Sequence, residues 1–110
     1  MSVIQKEISV GIGETVENAL AGSAFEFLSR NSIVSMGVTA AATGTFVTIQ
    51  SGANIILEES PTYVQTTFPR IPDEMVYNDV GRQGDRIVVR LRNPTGGAVI
   101  MRVVVQVTGL

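Results

Sequence analysis

Hydrophobic and polar positions alternate with period two through most of the chain, most regularly near its C-terminal end. In Gly84 to Thr108, Ile87, Val89 and Leu91 alternate on one run, and Val99, Met101, Val103, Val105 and Val107 on the next. The odd positions are therefore expected to face a core. Between the runs, Asn93-Pro94-Thr95-Gly96-Gly97 combines a proline of fixed φ with two glycines free to take φ > 0, a composition suited to chain reversal. The pattern predicts a long antiparallel hairpin with a loop of Asn93 to Gly97. Its expected register sets Arg92 across from Ala98, Arg90 from Ile100 and Val88 from Arg102, avoiding the repulsion of Arg90 facing Arg102. The even face mixes Arg90, Arg92, Arg102 and Gln106 with Val88, Ile100 and Val104, more aliphatic surface than a solvated face needs.

Upstream, Ile4, Ile8, Val10 and Ile12 alternate with polar residues, so residues 1–12 read as a first strand or an extended arm. Gly13 to Gly22 is open between one short helical turn and a loop, with Val16, Ala19 and Leu20 inward. Ser23 to Ser29 reads as a short strand with Phe25 and Phe27 on one face, and Ser32 to Val38 as another. Thr39 to Gly44 is a loop or strand edge. Thr45 to Gln50 is a strand, Ser51-Gly52 a turn, and Ala53 to Glu58 its hairpin partner. Ser60 to Gln83 carries Pro61, Pro69 and Pro72 and no sustained period; it reads as a long loop with one strand near Tyr63 to Thr67. A loop of that length in a compact domain usually serves binding or assembly. Seven or eight short strands without a long helix predict one all-β domain over residues 1–110, an antiparallel β-sandwich. A jelly roll is the first choice of topology, and an immunoglobulin-type sandwich the second.

Composition narrows the picture. The chain is 45% hydrophobic and 16% charged, which suits a folded domain. Its apolar runs fall far short of the ~20 residues of a membrane helix, so no membrane partner is expected. Lys6 and Glu7 stand where a signal peptide would have its apolar core. Without cysteine, stability must come from packing or assembly. The net charge of −2 is unevenly spread: Arg82, Arg86, Arg90, Arg92 and Arg102 stand against Asp85 alone in residues 81–110. This cationic end either meets an acidic neighbour or a nucleic acid, or covers strand surface with arginine stems.

Candidate chemistry is sparse. Gly11-Ile12-Gly13 opens like a dinucleotide fingerprint, but Val16 replaces its third glycine and no βαβ pattern follows. Absence of His and Cys removes the usual nucleophilic triads and zinc sites. Glu58, Glu59, Asp73, Glu74 and Asp79 remain as acids, with no calcium-loop spacing. No catalytic, cofactor or metal-binding residue is assigned. The arginines lack the interleaved exposed aromatics of a single-strand nucleic-acid binder. Tyr63, Phe68 and Tyr77 lie in the 60–83 segment instead, placed to anchor it on the sandwich or to stack on a ligand.

The succession Phe25-Glu-Phe-Leu28, Thr45-Phe-Val-Thr-Ile-Gln-Ser-Gly52, Phe68-Pro-Arg-Ile-Pro-Asp-Glu74, Gly84-Asp-Arg-Ile87 and Arg92-Asn-Pro-Thr-Gly-Gly97 resembles small single-jelly-roll virion proteins of bacterial viruses. That resemblance implies an enzyme-free decoration, cement or minor coat protein, assembled in the host cytoplasm into the virion. Its expected partners are the major capsid protein and its own copies, with a trimer favoured. The partner-contact candidates are Val88, Arg90, Ile100, Arg102, Val104, Tyr63, Phe68 and Tyr77, with residues 1–8 and the 60–83 loop as contacting elements. The alternative is a carbohydrate-binding or adhesion module on the same scaffold. An assembly protein needs a broad apolar patch, and a sugar binder a few exposed aromatics on a cleft. The excess of valine and isoleucine over aromatics favours the former.

Overall fold

The computed structural model describes residues 2–23, 26–52, 54–69 and 77–109. Nine strands are present among them: β1 (Ser2–Val10), β2 (Thr15–Val16), β3 (Ser32–Ala40), β4 (Phe46–Ser51), β5 (Asn54–Pro61), β6 (Tyr63–Val64), β7 (Tyr77–Gly81), β8 (Ile87–Arg92) and β9 (Val99–Gly109). They form two sheets. The front sheet runs β1-β9-β3, with β7 and the short parallel strand β6 sharing the far side of β3. The back sheet runs β2-β8-β4-β5.

Chain order alternates between the sheets at almost every connection. β1, β3, β6, β7 and β9 are in front; β2, β4, β5 and β8 are behind, and among the described residues only β4–β5 is a hairpin between neighbours in one sheet. This is the winding of a jelly roll. The immunoglobulin order is excluded because it keeps the first two strands in one sheet, whereas β1 and β2 lie in different ones.

The alternation correctly locates the core. Ile87, Val89, Leu91, Val99, Met101, Val103 and Val105 are buried together with Val34, Met36, Val38, Val47 and Ile49. Full burial of each large aliphatic side chain stabilises the fold by about 1.5–3 kcal/mol. Ala19 and Leu20 join this core, and Val16 packs against it. Their segment is neither a helical turn nor wholly a loop, because Thr15 and Val16 pair with Arg92 and Leu91.

The final hairpin does not form, so its expected register is replaced. β8 pairs with β4 and β2, β9 with β1 and β3, and Asn93 to Ala98 arches from one sheet to the other. The odd-numbered sets face each other across the sandwich instead of sharing one sheet face. Asn93 is what the turn reading lacked. Fully buried, it donates from Nδ2 to the carbonyls of Val10 (2.9 Å) and Gly97 (2.8 Å) and accepts at Oδ1 from the Thr95 amide (3.0 Å).

Two further expectations change, and one open alternative is decided. Residues 26–29 form no strand: Phe27 makes one isolated bridge to Arg86 and is exposed, while Leu28 is buried; Phe25 lies outside the described residues. Segment 60–83 is not one long loop. Ser60 and Pro61 end β5, β6 forms at Tyr63–Val64, and β7 antiparallel to β3 occupies Tyr77–Gly81; residues 70–76, with Asp73 and Glu74, lie outside the description. Of the two readings of the first residues, a strand or an arm, the strand is observed: β1 pairs with β9 from Ser2↔Val107 to Val10↔Val99.

Candidate functional site

Cross-strand partners share a face, so the registers define the outer side of the front sheet. Val3, Gln106, Ser35 and Asn78 form one row across it, and Thr108, Ile33 and Val80 the neighbouring row. None of these seven side chains is charged. Val3, Ile33 and Val80 are exposed, Val80 to 60%. Further along, segment 65–69 crosses the same face: the Gln65 amide donates to the Ala40 carbonyl (2.9 Å), Thr39 Oγ1 to the Thr67 carbonyl (2.9 Å), and the Arg102 guanidinium lies 5.9 Å from the Phe68 ring centre.

The outer side of the back sheet is charged and internally matched. Arg92 forks onto Glu59 and stacks 4.7 Å from the Phe46 ring centre, and Arg90 reaches Glu17 at 3.5 Å. Arg86 pairs with Glu26 at 3.0 Å, and on the front sheet Arg102 approaches Glu7 at 3.7 Å. Four of the C-terminal arginines thus meet glutamates drawn from residues 7–59. Hydrogen bonding from Arg92 holds the Glu59 carboxyl below its ordinary value, against a smaller opposing effect of burial. For Glu26 the amide of Gly22 (2.9 Å) lowers it most, and Arg86 adds to the effect.

The edge strands β1, β7, β5 and β2 each carry a feature that obstructs strand addition. On β1, Lys6 is paired with Val103 and so lies on the core side; on β7, Asp79 is paired with Val34 and does likewise. Inward charges would be trapped without water if another strand docked beside them. In the back sheet β5 holds two more residues than β4 over the same stretch and ends at Pro61, while β2 is two residues long. The β2 edge is completed by a side chain. Asn18 Oδ1 accepts from the Val89 amide (3.1 Å) and its Nδ2 donates to the Ile87 carbonyl (3.1 Å).

The structure disperses the candidate contact residues. Val88 and Arg90 are on the back face, Ile100 and Arg102 on the front face, so they form no common patch. Ile100 is part-exposed, whereas Val104 is fully buried on the outer side of its own sheet and offers no contact surface. Tyr63 is exposed on β6; Phe68 is half-buried against Arg102; Tyr77 packs on the core, and desolvation raises its hydroxyl pKa. Val3, Ile33 and Val80 escaped the sequence reading. Ile33 had a visible signal, an aliphatic residue out of phase with Val34, Met36 and Val38, but Val80 sat in a segment without recognisable period.

A second feature lies where the β4–β5 turn meets the end of β7. Ser51, Asn54, Val80, Arg82 and Asp85 line an open cleft of about 350 Å³. Among the described residues no group of three acidic side chains is arranged to hold a metal ion. Comparison with known proteins finds no matching family model, no matching curated protein and no matching solved structure.

Proposed function

We propose that this chain is a structural component of a bacterial-virus particle, decorating or cementing the shell through protein–protein contacts without catalysis. The observation that carries the reading is the uncharged outer patch of the front sheet, with Val3, Ile33 and Val80 exposed across three strands. Exposed aliphatic surface of this kind marks an interaction site. With the edges of β1, β7, β5 and β2 obstructed, a partner is accommodated face-on, and the patch presents no charge that an identical copy would repel. Support also comes from the resemblance to single-jelly-roll virion proteins, whose winding this chain shares. The partners in this reading are major capsid protein and the chain's own copies, with a trimer as the expected state.

Size-exclusion chromatography with light scattering on the full chain tests it. Self-association at high micromolar concentration, abolished in Ile33→Lys and Val80→Lys but retained in Arg90→Gln on the opposite face, is the expected result. A wild-type chain that stays monomeric, or oligomers indifferent to both lysines, would refute the use of this face.

A further inference from the structure

The cleft between the β4–β5 turn and β7 adjoins the front-face patch at Val80, while its polar lining lies outside that patch. Ser51 lines it and is 1% exposed; its hydroxyl is closed to solvent and has no hydrogen-bond partner among the described residues. A buried hydroxyl without a partner is uncommon and calls for an account. The other polar lining groups are more open: Asn54 and Arg82 are exposed and Asp85 is half-buried. Among the described residues Arg82 makes no ion pair, in contrast to Arg86, Arg90, Arg92 and Arg102. Asp85 is held in place through one oxygen, Oδ2 accepting from the Arg82 amide at 2.9 Å, and Oδ1 has no hydrogen-bond donor among the described residues. Gly52 makes room for that carboxylate: it has φ +57°, and a Cβ there would stand 2.9 Å from the Asp85 carboxyl carbon and Oδ1.

We infer that this cleft binds a saccharide, as an activity beyond the structural role proposed above. The lining is balanced, one guanidinium against one carboxylate, which disfavours a simple anion or cation. It offers donors (Arg82 and the Asn54 amide nitrogen) and acceptors (Asp85 Oδ1 and the Asn54 amide oxygen). Vicinal sugar hydroxyls each donate and accept, and so satisfy such a set together. Val80 is the aliphatic member of the lining, suited to the C–H face of a pyranose ring. The volume lies near the lower end of the roughly 300–1,000 Å³ of small-molecule sites, which fits one sugar unit.

The test is a titration of the isotope-labelled full chain with D-glucose, D-galactose and D-mannose at millimolar concentrations, followed by amide chemical shifts. A parallel titration with acetate serves as the carboxylate probe. At least one hexose is expected to shift the amides of Ser51, Asn54, Arg82 and Asp85. Arg82→Gln and Asp85→Asn should each weaken this binding about tenfold, the effect of losing one charge-assisted hydrogen bond. The asparagine retains an acceptor for the Arg82 amide, and Arg82→Gln leaves that turn untouched, so loss of folding is separable from loss of binding. Absence of shifts with all three hexoses, shifts elsewhere, shifts unchanged in both variants, or a response to acetate alone would overturn the inference. The self-association test is read independently through Ile33, which does not line the cleft.

Discussion

Asn93 and Val10, 83 positions apart, are joined by a 2.9 Å hydrogen bond from the side-chain amide of one to the carbonyl of the other. That bond ties the β8–β9 arch to the end of β1, where β1 meets β9 at Val10↔Val99. The same side chain also serves the Gly97 carbonyl and the Thr95 amide, so one buried amide organises the crossing between sheets.

Replacing Asn93 by Ala removes the side-chain donor from the Val10 carbonyl in a buried site, and the partner of the Thr95 amide and Gly97 carbonyl in a part-buried one. Each buried group left unpaired costs about 1–3 kcal/mol, and partial relaxation of the arch offsets some of the sum. Urea unfolding of Asn93→Ala should show a loss of about 2–4 kcal/mol at unchanged slope. A loss under about 0.5 kcal/mol, the scale of an ordinary surface change, would show that the arch does not depend on this amide.

Asn18 acts on the β8 edge as a piece of strand. Its side chain meets the Val89 amide and the Ile87 carbonyl while its Oδ1 also accepts from the Leu20 amide at 3.0 Å. Asn18→Asp keeps the acceptor and removes the donor to Ile87, and places a charge in a nearly buried position. It should destabilise the protein more at pH 7 than near pH 3, where the acid is protonated and can donate again. Chemical denaturation of both proteins at the two pH values, compared as a difference, measures this.

The inward charge of Lys6 predicts an effect opposite to that of most hydrophobic substitutions. Lys6→Val improves the match to Val103 beside it but removes the obstacle to strand addition along nine residues of β1. Static light scattering against concentration should show faster growth of large aggregates for the variant than for the wild type. Unchanged scattering would mean that this edge is protected by something other than Lys6.

The depressed Glu59 sets a sign for the acid response. A carboxyl whose folded pKa lies below its unfolded value favours folding above the unfolded value, and that contribution fades as pH falls through the folded one. Its window therefore opens near the ordinary 4.5 and extends downward. Glu59 is solvent-accessible, so the effect is small and weakened by salt. Glu59→Gln should lower the melting temperature at pH 7 at low ionic strength and match wild type once both are below that window. An equal difference at all pH values would assign the change to packing against Phe46 rather than to charge.

The sequence by itself determined the all-β class, the inward set of β8 and β9, and the β4–β5 hairpin. Each rests on local physics: successive strand side chains point to opposite faces, and Gly52, with φ +57°, supplies the left-handed turn after Ser51. Sheet membership was beyond that local information. An arch between sheets and a hairpin within one present the same alternation, and the choice between them came from Val10, Glu14 and Gly97 closing around Asn93. The same holds for the surface. Val104 and Ile100 are equivalent in period, yet one is fully buried and the other part-exposed, because burial on an outer face depends on what the rest of the chain lays across it. The cationic C-terminal end, legible as a charge imbalance, became four arginine–glutamate contacts only once β1, β5 and the segments around Glu17 and Glu26 were brought beside β8 and β9.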